Sequence, residues 1–385
     1  MRVLWIYCVF IDTALYSTFP LQIIEELRKI GHKVHLIIPS VTTKSHMEDT
    51  KFLATVRLPV LSALSFWLML LFYLPKAIKK ERPGVIIANI YDLLGMIPAL
   101  LFPRVKLVVD IRSSFGTVKG IRGHIGKITY HMSIKLAKYL CDGITVTSSA
   151  LKEEVCTNYN LDPAKVGVVT NGVSLDIFDY EKNIASSEKL RERLRMSNRF
   201  IVLYHGSIGI KRGLQETVEA MARVAAKHPE ILLFVLGTGP VQFMDKLKSL
   251  VAKKHLENNV HIHRPVIHQE VPRFILMCDV GILPADNDSF PRTSCPLKLL
   301  EYLAMRKPVI GTDIPFTEEI LRYGHCVVLM SSNKPQNIAS AIGHTYENRA
   351  FLEQMGKIGR AIVEQHYSWE KKAKDLEDFI GRISK

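Results

Sequence analysis

Residues 296–312 combine a helix start with a lysine in a spacing that suits an anionic ligand. The segment reads as a loop, a helix, a turn and a strand. Pro296 is near the first helical position, where the N–H group that proline lacks would have no partner within the helix. The free N–H groups of Leu297 and Lys298 and the positive end of the helix then remain available to an anion. Because Lys298 adds a mobile positive charge, we expect a diphosphate to bind here.

Glu301 lies one turn further into the same predicted helix, on the side of Leu297. In that place its carboxylate can accept hydrogen bonds from the hydroxyl groups of a ribose. The alternative is an ordinary amphipathic helix whose glutamate is a solvated surface group. The segment alone leaves both interpretations open.

A second candidate site is the glycine-rich turn of residues 204–213, which carries Gly206, Lys211 and Arg212 before a predicted helix. Glycines and cations at a helix start suit a phosphate, although a solvated loop is the alternative. The strand-to-helix turn at Gly237 is a weaker signal of the same kind.

The elements that position these residues are predicted from short apolar runs, which indicate strands, separated by stretches with helical spacing. The runs span residues 3–11, 34–38, 85–88, 107–109, 143–147 and 166–169, and then 200–204, 232–236, 260–262, 280–283, 308–310 and 326–329. This alternation favours parallel βαβ units in doubly wound sheets. The polar stretch 176–198 divides the two sets. We therefore expect an α/β protein of two Rossmann-like domains, with ligands at the carboxyl ends of the strands and in a cleft between the domains.

Composition narrows the class of partner. The chain has 385 residues, 48% hydrophobic and 23% charged, with a formal charge of +14, which excludes a disordered or collagen-like protein. Such a charge favours a polyanion: nucleic acid, an anionic membrane or a phosphorylated substrate. Residues 51–140 hold 14 Lys and Arg against three acidic residues, a local charge of +11 (14 − 3).

The most apolar segment of the chain, residues 58–74, lies within this basic region. It is followed by the cations Lys76, Lys79, Lys80 and Arg82. Three interpretations remain open: a buried helix, a transmembrane helix, and a helix that dips into the bilayer surface beside a basic rim. Nucleic acid fits less well, because the basic residues are not interleaved with exposed aromatics in a known module.

The six cysteines are widely spread and form no C-x-x-C pair, which indicates reduced thiols in a reducing compartment. No His, Cys, Asp or Glu cluster has the spacing of metal ligands. The N-terminal apolar run lacks a signal-peptide cleavage site and is interpreted as a buried strand.

The segment around Glu301 resembles the signature of family-4 glycosyltransferases, retaining sugar-nucleotide enzymes of the two-domain GT-B architecture. That signature is Glu, seven residues, Glu, and then a run such as Ala-x-Gly-x-Pro-Val-Ile. Glu301 matches its second Glu and residues 307–310 match its final run, while Thr293 replaces the first Glu. The resemblance therefore makes Thr293, Ser294 and Cys295, together with Pro296, candidates for donor contacts.

Other segments resemble the same family in order along the chain. In the turn of residues 204–213, Ser207 replaces the usual arginine, and Arg212 stands in the lysine position. Arg264 and Val266 fall in the family's base-contacting loop. The resemblance implies an acceptor-binding domain at 1–178, a nucleotide-sugar domain at 179–365, and a C-terminal helix at 366–385 that crosses back to the first domain.

The first domain resembles the family less closely. Residues 10–15 lack the glycine pair that often follows the first strand. Asp110 and Arg112 occupy the place where the family often has a histidine or an acidic residue at the reacting centre. Asp110 would bind an acceptor hydroxyl or act as a base, and Arg112 would hold an anionic group. A structural ion pair at a strand end is the alternative.

The resemblance implies a retaining transferase that moves a hexose or N-acetylhexosamine from a UDP- or GDP-sugar to a lipid-linked or other glycan acceptor. It implies no metal and no cofactor. Together with the charge and the apolar segment of residues 51–140, it predicts an enzyme peripheral to the cytoplasmic face of an anionic membrane, with no nucleic-acid partner. A GT-B sugar-nucleotide 2-epimerase and a non-catalytic glycosyltransferase-like subunit remain as alternatives.

Overall fold

A computed structural model of the chain describes residues 1–8, 18–40, 49–56, 58, 61–115, 120–286 and 292–384. It divides into two compact units, Met1–Asn171 with Trp369–Lys385, and Gly172–Ser368. The predicted boundary after residue 178 falls inside the second unit. The reason is that Val173 and Phe178 belong to that unit's core, and the Val173 N–H donates to the Tyr367 carbonyl over 2.8 Å.

The first unit contains a seven-stranded parallel sheet of order β3-β2-β1-β4-β5-β6-β7. Its strands are β1 (Arg2–Ile6), β2 (Lys33–Ser40), β3 (Thr50–Ala54), β4 (Val85–Asn89), β5 (Lys106–Ile111), β6 (Gly143–Val146) and β7 (Val166–Val168). Its helices include α1 (Thr18–Lys29), α2 (Leu61–Glu81), α3 (Ile121–Leu140), α4 (Ser149–Tyr159), and the 3₁₀ helices Ile90–Leu101 and Pro163–Lys165. Residues 9–11 of the predicted first strand, and the glycine-free stretch 10–15, lie outside the described residues.

The second unit contains a six-stranded parallel sheet of order β10-β9-β8-β11-β12-β13. Its strands are β8 (Phe200–Ser207), β9 (Ile231–Thr238), β10 (Val260–His263), β11 (Val280–Leu283), β12 (Val309–Thr312) and β13 (Val327–Met330). Its helices are α5 (Tyr180–Arg193), α6 (Leu214–Lys227), α7 (Val241–Lys253), α8 (Val271–Leu276), α9 (Leu297–Ala304), α10 (Pro315–Leu321), α11 (Pro335–Glu347) and α12 (Leu352–His366), with 3₁₀ helices at His268–Glu270 and Arg349–Phe351.

Both strand orders are those of doubly wound sheets, which confirms the predicted α/β class and the two Rossmann-like units. Helices cover both faces of such sheets, so the strands are apolar along most of their length: residues 200–205 of β8 are all buried. Polar side chains that serve a ligand must then lie where the strands end. In the second sheet the chain reverses its winding between β8 and β11, which is the expected place for a ligand.

The last helix, α13 (Trp369–Ile383), returns to the first unit as predicted. Trp369 packs near Phe19, with 5.8 Å between the ring centroids. Phe379 lies against β6 and β7 at glycines: a Cβ atom on Gly143 would lie 2.8 Å from Phe379 Cζ, and one on Gly167 would lie 2.8 Å from Phe379 Cε2. The absence of side chains at these two positions lets the helix dock.

Gly167→Ala should therefore destabilise the first unit, because the new methyl group collides with the Phe379 ring. We expect a loss of about 1–3 kcal/mol, as for other overpacked cores, measured by urea-induced unfolding. Gly381→Ala is the matched control. Gly381 lies in α13, the helix of Phe379, and a Cβ atom added there would have nothing within 4 Å. Gly381→Ala should therefore be up to about 1 kcal/mol more stable than the unaltered chain. Equal stability of Gly167→Ala and the unaltered chain would contradict this packing.

Candidate active site

The start of α9 lies at the carboxyl edge of the second sheet. Pro296 is its N-cap, with an extended backbone (φ −69°, ψ 114°), as the sequence predicts. The hydrogen-bond ladder of the helix begins with the Leu299 N–H, which donates to the Pro296 carbonyl over 3.1 Å. The N–H groups of Leu297 and Lys298 precede that ladder and belong to the positive end of the helix dipole.

Lys298 crosses the end of β8. Its Nζ donates a hydrogen bond to Tyr204 Oη over 3.0 Å and lies 4.1 Å from the centroid of the Tyr204 ring. Gly206 makes room for this side chain: its φ is +104°, and a Cβ atom there would lie 2.6 Å from Lys298 Cε. Burial, together with the charge of Arg212, lowers the pKa of Lys298 to about 7, against the opposing effect of Glu301.

Glu301 is 8% exposed, so the interpretation of this residue as a solvated surface group is wrong. Its carboxylate lies between two imidazoles: Oε1 is 3.1 Å from His268 Nε2, and Oε2 is 3.4 Å from His205 Nε2. Burial raises the pKa of Glu301, but the hydrogen bond to His268 and the charges around it outweigh burial, and the net pKa is lowered. The structure therefore holds an ionised carboxylate that is largely shielded from water.

The two histidines were not predicted. His205 is a buried residue of β8, and burial lowers its pKa to about 4, so the ring is neutral at pH 7. His268 is half-exposed, and its hydrogen bond to Glu301 raises its pKa. His205 directly precedes the predicted Gly206, which was the available signal. No sequence pattern could show that a residue near position 268 reaches Glu301.

The glycine-rich turn joins the same site. Gly206 and Gly237 are paired in the β8–β9 register, with Ser207 opposite Thr238. Arg212 follows them just before α6, and its charge lowers the pKa of Lys298. Lys211 is exposed beside it. The structure thus places Arg212 and Gly206 near Lys298.

The remaining predicted donor residues lie around this centre. Thr293 and Cys295 are buried directly before α9, and Ser294 is half-buried. Their predicted contact with a donor sugar stays a prediction. Arg264 is exposed in the loop after β10, and Val266 packs against the core. That loop continues to His268, which ties it to Glu301.

Asp110 and Arg112 lie at the carboxyl end of β5 in the first unit. Asp110 is buried; Thr145 Oγ1 donates to it over 2.7 Å, and Arg112 approaches it to 3.5 Å. Burial raises the pKa of Asp110, against the opposing effects of Arg112 and Thr145. Arg112 also donates to Asn171 Oδ1 over 2.6 Å. These contacts are those of the structural ion pair, and the catalytic roles stay predictions.

No group of three or more His, Cys, Asp or Glu side chains is placed to hold a metal ion among the described residues. The described part of the chain includes all six cysteines, and each is a free thiol.

Helix α2 corresponds to the apolar segment. It buries Phe66, Leu70 and Leu74, so one side belongs to the core. The opposite side is apolar and exposed: Leu61, Leu64, Leu68, Leu71 and Phe72. Among the described helices, α2 alone is long and apolar enough to cross a membrane, and 28% of its apolar window is buried. The structure describes a two-faced helix rather than the fully buried one that the sequence left open.

Comparison with known proteins connects these features to a family. Residues 186–362 match the model "Glycosyl transferases group 1", and residues 17–177 match "Glycosyltransferase Family 4". The two matches account for most of both units.

Individual relatives are distant. The chain is 24% identical over 276 residues to the glycosyltransferase MJ1607 of Methanocaldococcus jannaschii, covering 71% of this chain and 68% of the relative. It is 22% identical over 375 residues to the capsular polysaccharide biosynthesis glycosyltransferase CapM of Staphylococcus aureus, covering 94% and 88%. The crystal structure of Anabaena Alr3699/HepE in complex with UDP superimposes with a TM-score of 0.80 at 15% identity, covering 99% and 100%. This likeness confirms the predicted GT-B fold.

The low pKa of Lys298 can be measured directly. After reductive methylation with ¹³C-formaldehyde, the Lys298 signal, assigned by its loss in Lys298→Arg, should titrate near pH 7, whereas surface lysines titrate near pH 10.4. Because the Glu301 charge raises the Lys298 pKa, Glu301→Gln should move the midpoint to lower pH, and Arg212→Gln should move it to higher pH. A Lys298 midpoint above pH 9 would show that this amine is not desolvated.

Proposed function

The chain belongs to the group 1 and family 4 glycosyltransferases, and on this premise we propose that it is a retaining enzyme that moves a hexose or N-acetylhexosamine from a UDP- or GDP-sugar to a glycan acceptor. The observation that carries the proposal is the start of α9. There Lys298 and the buried, ionised Glu301 lie three residues apart in one helix, and the Lys298 side chain passes close to Gly206.

Each part of this site has a role in the proposed transfer. The N–H groups at the start of α9, Lys298 and Arg212 bind the diphosphate of the donor. When the sugar–phosphate bond breaks, negative charge grows on the leaving diphosphate, and these positive groups stabilise it. A neutral Lys298 binds a proton as the anion arrives, because the diphosphate restores a higher pKa. Glu301 accepts hydrogen bonds from the ribose.

In this proposal the cations replace a metal ion, and no cofactor is required. Activity should then persist in EDTA.

In the first unit, Asp110 and Arg112 lie at the carboxyl edge of the sheet, where the acceptor would bind. They contact the acceptor hydroxyl and an anionic group near it.

We further propose that the acceptor is lipid-linked and that the enzyme is peripheral at the cytoplasmic face of an anionic membrane. Two observations support this. CapM is named for polysaccharide biosynthesis, and α2 exposes an apolar face that is followed by the exposed cations Lys76, Lys79 and Lys80. An apolar helix face beside cations is typical of a helix that lies in the surface of an anionic bilayer.

The first test measures release of nucleoside diphosphate from a panel of UDP- and GDP-sugars, with and without a polyprenyl-phosphate-linked glycan. We expect acceptor-dependent release. Glu301→Ala and Lys298→Ala should each lower kcat/KM at least about tenfold, since each removes a charged partner of the donor. Lys248→Ala, an exposed lysine of α7, is the control and should keep full activity.

The outcomes of this assay separate the alternatives. Near-native activity of both Glu301→Ala and Lys298→Ala would overturn the site. Isomerisation of the sugar nucleotide without an acceptor would indicate an epimerase. Binding without turnover on any sugar or acceptor would indicate a non-catalytic subunit.

The second test measures sedimentation with vesicles of phosphatidylcholine and phosphatidylglycerol. Leu68→Glu with Phe72→Glu should lower binding more than tenfold, because burial of each apolar side chain is worth about 1.5–3 kcal/mol. Lys79→Gln with Lys80→Gln should lower it less, by about 1 kcal/mol per charge, and only on anionic vesicles. Phe351→Glu, an exposed apolar residue of the second unit, is the control. Binding unchanged in the α2 variants would contradict the membrane proposal.

A further inference from the structure

We propose that His205 and His268 set the recognition of the donor ribose by forming a three-residue cluster with Glu301. His268 holds the carboxylate through Oε1, and His205 offers Nε2 to the hydroxyl group held at Oε2. The inference rests on the proposed function, since it assumes that Glu301 faces a ribose. It adds two residues that the sequence did not predict.

The cluster is assembled from three separate elements. His205 comes from β8, His268 from the 3₁₀ helix after β10, and Glu301 from α9. The two Nε2 atoms approach different oxygens of the carboxylate, at 3.1 Å for His268 and 3.4 Å for His205. Because each oxygen has its own imidazole, rotation of the carboxylate about its last bond would separate both pairs. The hydrogen bond from His268 therefore holds the orientation of Glu301, and His205 Nε2 lies beside the other oxygen.

His205 Nε2 is the observation that points to a ligand. His205 is 5% exposed, and Nε2 is buried without a hydrogen-bond partner among the described residues. A buried polar atom without a partner costs roughly 1–3 kcal/mol. A hydroxyl group is both donor and acceptor. Placed beside Glu301 Oε2, it can donate to the carboxylate and accept from Nε2–H, which satisfies both groups at once.

His268 acts differently, because half of its side chain is exposed. Its hydrogen bond to Oε1 occupies one of about four acceptor positions on the carboxylate, which leaves Oε2 for the ligand. It is a positioning residue: it touches Glu301 rather than the donor. Lys298 and Arg212, the other charged groups near Glu301, serve the diphosphate and not the ribose.

This division of roles yields a readout that a purely structural role would not change. Loss of the cluster should weaken recognition of the ribose hydroxyls and leave the diphosphate contacts in place. The ratio of affinities for a ribonucleotide and its deoxy counterpart isolates the first effect. A general loss of structure would weaken both ligands equally and leave the ratio unchanged.

The experiment is isothermal titration calorimetry of the full chain with UDP and GDP and with their 2′-deoxy and 3′-deoxy forms. The unaltered chain should prefer the ribonucleotide that it binds at least about tenfold over one deoxy form. His268→Ala should reduce this preference at least about threefold, and His268→Gln, which retains an N–H donor, should restore it. Gln269→Ala, the exposed neighbour in the same 3₁₀ helix, is the matched control and should keep the full preference.

His205 is tested by His205→Leu, which should also reduce the preference. Because His205 is buried, its variants count only where the melting temperature is retained, and the His268 pair decides the question otherwise. A preference unchanged in His268→Ala would overturn the inference, as would a chain that binds UDP or GDP without distinguishing the deoxy forms; the donor proposal would survive both results. Binding of neither nucleotide by the unaltered chain would overturn the proposed function and the inference with it.

Discussion

The candidate site of the second unit depends on keeping the charged carboxylate of Glu301 largely out of water. A buried carboxylate without partners would bind a proton and lose its charge. Glu301 stays ionised because two imidazoles and a lysine surround it, and these partners come from β8, the 3₁₀ helix after β10, and α9 itself. Elements that are distant in sequence must therefore meet at this carboxylate, with His268 Nε2 at 3.1 Å and His205 Nε2 at 3.4 Å from its oxygens. This requirement fixes how α9 is placed against the sheet.

The lysine of the site follows from the same requirement. Lys298 is half-buried, and burial and the charge of Arg212 lower its pKa, while Glu301 raises it. The side chain can cross β8 only because position 206 has no Cβ atom, and the Tyr204 hydroxyl accepts its hydrogen bond. Without an anion, burial and the charge of Arg212 therefore outweigh the effect of Glu301 on the charge of Lys298. That imbalance is the physical reason to expect a ligand of high negative charge.

The sequence was sufficient for the features that local chemistry determines. The sequence predicts Pro296 at the start of α9, the apolar parallel strands, and the turn at Gly206, because each has a local physical reason. The structure has all three features. The cluster around Glu301 could not be predicted, because His268 reaches it through the fold and not through spacing. The boundary after residue 178 was wrong for a related reason: Phe178 packs into a core that is formed mainly by later residues.

The positive charges of the chain differ in how far they are buried, and this determines how strongly each one acts. The second-unit cations that we propose bind the donor, Arg212 and Lys298, are partly withdrawn from water, where each charge acts strongly over a short distance. Those of α2 are exposed, and water and salt weaken each of them. Exposed charges therefore bind an anionic surface only when several act together. In α2 they lie beside an exposed apolar helix face. In the two proposals, the same overall excess of positive charge therefore serves two kinds of binding: a few partly buried cations bind a compact diphosphate, and several exposed ones bind an extended anionic surface.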